Sequence, residues 1–142
     1  MTKPTNTNTV QGKAAIVDLG SNSFRVLLGT FDGTTWHNEP KRLWTTRLGQ
    51  RDEKGFLTPD AFERGLSALR EINDAIQAYG ATVVLGAATS AIREAPNGAD
   101  FMAEAVKVCP MDAKVLTGEE EAAYGFDGAV SKLAEPGFQY AT

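Results

Sequence analysis

Three short polar segments of this sequence carry residue types that can hold a phosphate group or activate a water molecule. They are the first segment (residues 18–23, DLGSNS), the second segment (residues 87–95, AATSAIREA) and the third segment (residues 117–122, TGEEEA). Hydroxyl, amide and backbone N–H groups suit phosphate oxygens, an arginine fork binds phosphate at two points, and a carboxylate can accept a proton from water. The chemistry depends on whether the three segments meet around one anionic group.

The first segment follows an apolar run and has the composition of a phosphate-binding loop. Gly20 allows the chain to turn where a Cβ atom would obstruct it, and Ser21, Asn22 and Ser23 add side-chain donors to the N–H groups of the loop. Asp18 would repel a phosphate, so we expect it to act through a divalent cation or a water molecule. The alternative is a β-hairpin with a polar turn that binds no ligand.

The second segment follows the strand that the pattern places at the centre of the sheet. Ligands of open α/β sheets bind at the carboxyl ends of the strands, where this segment must lie. Thr89 and Ser90 supply hydroxyl groups, and Arg93 supplies a guanidinium that can bind phosphate in two places. The alternative is a surface arginine that pairs with Glu94 or another neighbour.

The third segment contains three consecutive glutamates, which local helix geometry separates. Thr117 and Glu120 have the spacing of a capping box, so Glu120 is assigned to helix structure and Glu119 to solvent. Glu121 lies beyond the box, near the positive end of the helix, where it should stay ionised as a general base requires. The alternative is a set of acidic residues that only stabilise the start of a helix.

Composition and charge restrict the class of protein. With 142 residues, of which 42% are hydrophobic and 23% charged, the chain is expected to form one globular domain with a sizeable core. The net charge of −4 argues against wrapping of nucleic acid or an anionic membrane surface. One cysteine, Cys109, and one histidine, His37, exclude an internal disulfide, a cysteine-based zinc site and a histidine-rich metal cluster, and Cys109 is expected to be buried and inert.

The first residues of the chain and its hydropathy give an expectation for the location of the protein. Residues 1–12 are rich in Thr and Asn and predict a disordered tail rather than a signal peptide. No apolar run approaches the length of a membrane span, so we expect a cytoplasmic protein.

The elements that must position the three segments follow from periodicity and from turn and cap signals. Three sequential strands are followed by helix, strand, helix, strand and helix, which predicts an α/β domain over residues 13–136. Its sheet should be five-stranded and mixed, with a three-strand antiparallel meander, then parallel strands, and helices packed on it. The expected strands cover residues 14–19, 24–28, 36–46 (weakened by Pro40), 82–88 and 113–116; the helices run from Thr58-Pro59 to Gly80, from Asn97, and from the third segment to about residue 133.

The three segments together resemble those of the exopolyphosphatase and guanosine pentaphosphate phosphohydrolase (Ppx/GppA) family. Its members look like DLGSNSF at the first strand, ATSAxREAxN after the central strand and SGxEEA at the last helix, in the same order as residues 18–24, 88–97 and 117–122 here. The resemblance covers roughly residues 14–130. It implies the ribonuclease H-like half-domain of the actin-like ATPase superfamily.

The resemblance also implies roles for individual residues. The family's catalytic glutamate falls on Glu121, in agreement with the capping argument, and its phosphate-binding residues fall on Ser21, Asn22, Ser23 and Arg93. Arg25 stands where some members carry an arginine that meets a nucleotide base or a chain phosphate. Many members place arginine after Glu-Glu-Ala, where this chain has Ala123, so any contact of that arginine is in doubt.

The implied activity is hydrolysis of the terminal phosphate of polyphosphate or guanosine pentaphosphate, with Mg²⁺ as cofactor and Asp18 as its ligand. Members have two half-domains that face each other across a cleft, and this sequence stops where the second would begin. Residues 137–142 are therefore expected to start the connection to a missing second half, and the uncovered surface allows a homodimer. Two alternatives remain: an ATP-binding half-domain of a sugar or acid kinase, and a non-catalytic sensor of guanosine phosphates.

Overall fold

The computed structural model describes residues 11–32 and 35–119 of the chain. This part forms a mixed α/β domain in which one sheet is combined with helices. The elements, in chain order, are β1 (Gln11–Leu19), β2 (Ser23–Asp32), β3 (Trp36–Asn38), β4 (Arg42–Thr45), α1 (Pro59–Tyr79), β5 (Val83–Ala88), α2 (Ser90–Glu94), α3 (Gly98–Val108) and β6 (Asp112–Val115).

The sheet is mixed, as predicted, but it has six strands rather than five. Its order is β3-β2-β1-β5-β6, with β4 also paired to β2. The antiparallel part comprises β1 to β4, whereas β1, β5 and β6 run parallel. The predicted third strand over residues 36–46 is divided into β3 and β4, because Pro40 has no N–H group to donate to the ladder.

Helix α1 has the predicted bounds, because its ends carry strong local signals. The side chain of Thr58 accepts a hydrogen bond from the N–H of Ala61 (3.1 Å), and Pro59 occupies the first turn. Gly80 ends the helix in the left-handed conformation (φ 85°). Ile72 and Ile76 of this helix are fully buried.

The region between β5 and β6 contains two helices where the sequence predicted one. Residues 90–94, expected to be loop, form the short helix α2, and α3 then begins at Gly98. A Cβ atom at position 98 would overlap the carbonyl oxygen of Ile92, so the close approach of α3 to α2 requires glycine. The helix start predicted at Asn97 is confirmed, although the Asn97 side chain makes no capping hydrogen bond.

The main hydrophobic core joins helix side chains to alternate residues of the sheet. Residues such as Val17, Phe24 and Ile72 are fully buried in it, and the ring of Phe101 makes an edge-on contact with the ring of Phe62 at a centroid distance of 5.1 Å. Cys109 is also fully buried, as predicted, and its burial raises the pKa of the thiol to about 11. Within the described residues, no helix is both long and apolar enough to cross a membrane.

Candidate functional site

The carboxyl ends of three parallel strands bring the three segments to one edge of the sheet. In the register of the sheet, Leu19 of β1 pairs with Ala88 of β5, and Ala88 pairs with Val115 of β6. The N–H of Leu116 donates to the carbonyl of Ala88 (2.8 Å) and extends the alignment by one residue. Because each segment lies where its strand ends, the segments that are far apart in sequence start side by side.

The first segment forms the tight connection between β1 and β2, with Gly20 at its closest point. A Cβ atom on Gly20 would lie 2.8 Å from the carbonyl oxygen of Ser23. Real Cβ contacts are longer than this, so a side chain at position 20 would force the loop to open. The need for glycine therefore comes from a close backbone approach.

The loop between β4 and α1 holds the first segment by its carbonyl groups. The carbonyl of Ser21 accepts a hydrogen bond from the N–H of Gly49 (2.8 Å), and that of Asn22 accepts from the N–H groups of Thr46 (3.0 Å) and Arg47 (2.9 Å). In a planar trans peptide the C=O and N–H groups point in opposite directions. The N–H groups that follow these two carbonyls are therefore directed away from the holding loop.

Asp18 and Arg25 form an ion pair on the sheet beside this loop. The two residues are direct neighbours in the antiparallel β1–β2 register, and Asp18 Oδ2 lies 3.8 Å from Arg25 Nε. The Asp18 side chain is 10% exposed and that of Arg25 is 45% exposed, so the carboxylate is nearly buried while the guanidinium faces solvent. The ion pair thus joins Asp18, the predicted metal ligand, to Arg25, the predicted contact for a nucleotide base or a phosphate of the substrate chain.

A cavity of about 380 Å³ opens beside the first segment. It is lined by Asp18, Gly20, Ser21, Asn22, Ser23, Arg25, Lys41 and Leu43. The first six of these residues were predicted site residues. Lys41 was not predicted as a site residue, because the predicted third strand runs without interruption through the break that places this lysine next to the cavity.

The second segment touches the first through hydroxyl and backbone contacts. The Oγ atoms of Ser21 and Ser90 are 3.3 Å apart, which is within hydrogen-bond distance. Thr89 donates its N–H to the carbonyl of Leu19 (3.4 Å), and its hydroxyl also approaches that carbonyl (3.5 Å). Both predicted hydroxyl groups thus lie at the end of β1, although neither residue lines the cavity.

Arg93 links the second segment to the start of the third. Its Nη1 donates to the carbonyl of Leu116 (2.8 Å), directly before Thr117, and its Nη2 pairs with Glu94 Oε2 at 3.2 Å. The contact with Glu94 is the alternative that the sequence left open. Since the side chain is only 26% exposed and also binds the end of β6, Arg93 is more than a surface arginine.

Arg51, which was not among the predicted site residues, makes a further set of contacts at this edge. Its Nη2 donates to the carbonyls of Ser90 (3.2 Å) and Ala91 (3.3 Å), and its Nη1 lies 3.8 Å from Glu94 Oε1. Arg51 lies where the sequence predicts neither helix nor strand, and its partners are about forty positions away. No local pattern could therefore have indicated these contacts.

The third segment is described only up to Glu119. Gly118 and Glu119 have helical backbone, and Glu119 is exposed, in agreement with its assignment to solvent. Glu120 and Glu121 lie outside the described residues. The capping box and the role of Glu121 as a base therefore stay predictions.

The described residues offer one carboxylate for a metal ion in the cavity. Within residues 11–32 and 35–119, no group of three His, Cys, Asp or Glu side chains is arranged to hold a metal ion. Asp18 does line the cavity, next to the hydroxyl and amide groups of Ser21 and Asn22. This set fits Mg²⁺, which proteins often bind through one or two carboxylates together with substrate phosphates and water.

Comparison with known proteins identifies the family to which this arrangement is similar. The model of the Ppx/GppA phosphatase family matches residues 41–140, which is more than half of the chain. The matched residues include the second and third segments.

Solved structures of the same family have a similar fold. The chain is similar to a crystal structure of an exopolyphosphatase-like protein (TM-score 0.75, 31% identity, 88% of this chain covered). It is also similar to an exopolyphosphatase from Cytophaga hutchinsonii (0.74, 25%, 82%) and to the Ppx/GppA family member of Aquifex aeolicus (0.71, 28%, 81%). The chain spans 38% of the length of each of these proteins. The resemblance and the half-domain fold predicted from the sequence are confirmed.

Proposed function

Because the chain belongs to the Ppx/GppA phosphatase family, we propose that it forms the phosphate-binding half of a phosphohydrolase acting on inorganic polyphosphate, guanosine pentaphosphate or both. The observation that carries the proposal is the meeting of the predicted segments at one sheet edge, with Ser21 and Ser90 in contact at 3.3 Å. Sheets of this kind bind ligands at such an edge. The reaction is transfer of the terminal phosphoryl group to water.

In this proposal the terminal phosphate lies against the first segment. The N–H groups of the loop and the hydroxyl groups of Ser21 and Ser23 donate to its oxygens, and Thr89 and Ser90 border it from the neighbouring strand. Arg93 supplies a guanidinium at the point where the second and third segments meet, where it neutralises charge that develops on the phosphoryl oxygens.

The remaining phosphates, or the nucleotide, would contact the two cations of the cavity. The whole chain carries a net charge of −4, so a polyanion is repelled at long range unless positive groups are concentrated where it binds. Arg25 and Lys41 both line the cavity next to the first segment. We propose that these two residues bind the phosphates next to the terminal one in a polyphosphate chain, or the base and the ribose phosphates of a guanosine nucleotide.

Asp18 is proposed to hold Mg²⁺ together with phosphate oxygens of the substrate. When bound, the metal ion would neutralise charge on the phosphoryl oxygens and so favour attack by water. The positive charge of the ion would also offset the repulsion between the Asp18 carboxylate and the phosphate. The ion pair with Arg25 holds the carboxylate at the wall of the cavity.

Glu121 is proposed as the general base that orients and deprotonates the attacking water. Replacing Glu121 by Gln in the full-length protein should lower kcat by about a hundredfold or more, since loss of a general base typically costs that much. The measurement is phosphate release from polyphosphate at saturating substrate. Turnover close to that of the parent protein would remove Glu121 from this role.

We further propose that a second half-domain completes the cleft, because the chain spans 38% of the length of its structural relatives. A half cleft leaves the reacting phosphate open to water, which weakens every electrostatic contact in the site. The chain alone should therefore bind polyphosphate weakly and hydrolyse little. Its exposed apolar residues also allow it to form a homodimer when the second half is absent.

The deciding experiment measures phosphate release from polyphosphate and from guanosine pentaphosphate by the full-length protein, with no acceptor added. Release with Mg²⁺ supports the proposal, and the ratio of kcat/KM for the two substrates gives the preference. A protein that transfers phosphate only when a sugar or acid acceptor is added would be a kinase. Tight binding without release would identify a guanosine-phosphate sensor, and either result would refute the proposed hydrolase.

A further inference from the structure

The segment between β4 and α1 contacts both of the loops that are proposed to bind phosphate. We name residues 46–57 the bracing loop. Its first part donates the N–H groups of Thr46, Arg47 and Gly49 to carbonyls of the first segment. Its middle part contributes Arg51, which contacts α2 of the second segment. One loop therefore spans the gap between two parts of the site that are about seventy residues apart in sequence.

The bracing loop is itself fixed to the helices at both ends. Arg64 of α1 donates from Nε to the carbonyl of Thr46 (2.8 Å) and from Nη2 to the carbonyl of Arg47 (3.3 Å) and to the side chain of Gln50. At the other end, the amide of Asn97 pairs with both backbone groups of Leu57, at 2.9 Å and 3.2 Å. The loop can therefore act as a rigid spacer.

Helix α2 depends on contacts of this kind, because it is too short to be stable alone. It has five residues, and Thr89 at its start makes no side-chain capping hydrogen bond. Helices of this length gain little from their own hydrogen bonds and take their stability from tertiary packing. The guanidinium of Arg51 binds two carbonyls of α2 and lies 3.8 Å from the carboxylate of Glu94, which fixes the helix at both of its ends.

From these contacts we infer that Arg51 is a positioning residue, which holds Ser90 and Arg93 at the correct distance from the first segment. This inference rests on the proposed function, because it assigns a purpose to the spacing of two phosphate-binding elements. Arg51 does not line the cavity and acts through the backbone of α2. A shift of α2 would move Ser90 away from Ser21 and Arg93 away from the end of β6, so both donors would reach phosphate less well.

The effect of Arg51 on position is separable from its effect on stability. Its Nε atom is buried and has no hydrogen-bond partner among the described residues. A buried donor without a partner destabilises the folded state. Replacing Arg51 removes this cost, which offsets part of the stability lost with its hydrogen bonds. We therefore expect variants at position 51 to fold, with α2 held less firmly.

The test compares Arg51→Met and Arg51→Lys in the full-length protein with the control Arg70→Met. Arg70 forms an exposed ion pair with Glu63 on α1 and also loses one positive charge in the variant. The readouts are the Kd for inorganic tripolyphosphate and deuterium exchange of the peptide that covers residues 89–95. Arg51→Met should raise the Kd about tenfold and speed up exchange, Arg51→Lys should do so less, and Arg70→Met should change neither by more than about twofold.

A double-mutant cycle with Ser90→Ala separates positioning from a general structural role. If Arg51 acts through Ser90 and helix α2, the tenfold increase in Kd caused by Arg51→Met should fall to about threefold or less in a protein that already carries Ser90→Ala. Full additivity of the two substitutions would overturn the inference, as would unchanged exchange of residues 89–95. If the parent protein fails to bind tripolyphosphate, the proposed function is refuted. If Arg51→Met still speeds up exchange in that case, Arg51 stabilises α2 whatever the function of the protein.

Discussion

Replacing Gly20 by alanine tests whether the shape of the first segment determines function. The new Cβ atom would lie 2.8 Å from the carbonyl oxygen of Ser23. Carbon–oxygen contacts between neighbouring strands are usually about 3.3–3.6 Å, so the carbonyl must move by roughly 0.6 Å. Overpacking of this kind typically costs about 1–3 kcal/mol in the free energy of unfolding. The variant should therefore fold, with a distorted loop.

The distortion should affect catalysis more than stability. A misplacement of about 1 Å in an active site can cost about a hundredfold, so a shift of roughly half that distance should lower kcat/KM about tenfold. The assay is phosphate release from tripolyphosphate by the full-length protein, combined with urea denaturation. The control is Ser67→Ala on the exposed face of α1, which should leave both quantities unchanged. A Gly20→Ala protein with kcat/KM within about twofold of the parent would refute the argument that this loop binds the reacting phosphate.

Three further predictions concern stability, the thiol and the metal ion. Asn97→Ala removes the partners of both backbone groups of Leu57, so the free energy of unfolding in urea should fall by about 2–4 kcal/mol; a loss below about 0.5 kcal/mol would show that water replaces these contacts. The Cys109 pKa of about 11 exceeds the value of 9.0 for an exposed thiol, so the contribution of this thiol to stability should be constant below pH 9 and decline toward pH 11, and iodoacetamide at pH 8 should label the unfolded chain only. Rapid labelling of the folded protein would contradict the burial of this thiol. Asp18→Asn in the full-length protein should raise the Mg²⁺ concentration for half-maximal hydrolysis about tenfold or more, and an unchanged Mg²⁺ requirement would exclude Asp18 as the ligand.

Local signals allowed much of the fold to be predicted from the sequence. The ends of α1 follow from Thr58, Pro59 and Gly80, which act on their own neighbours and need no tertiary context. The strands β1 and β5 were predicted because continuous apolar runs mark strands that are buried on both faces. Their parallel pairing then placed the first and second segments at the same edge.

The features that the sequence analysis missed depend on contacts between distant residues. The sequence indicated that Pro40 weakens the third strand. Whether the strand divides there depends on how its two parts pair with β2. Asn97 has the residue type of a helix cap, yet its amide binds Leu57, forty residues earlier. Arg51 could be identified only after the fold had brought it next to α2. In each case the side chain had several possible partners, and tertiary packing selected among them.

The division of the outer strand also affects how the sheet behaves at its border. Along one side of β2 the neighbours are β3, with three residues, and β4, with four, and they are separated by a stretch that contains Pro40. An incoming strand from another molecule needs a continuous row of backbone donors and acceptors, and two short pieces with a proline between them do not supply one. Growth of the sheet into aggregates is therefore opposed on this side by the same interruption that brings a lysine to the cavity.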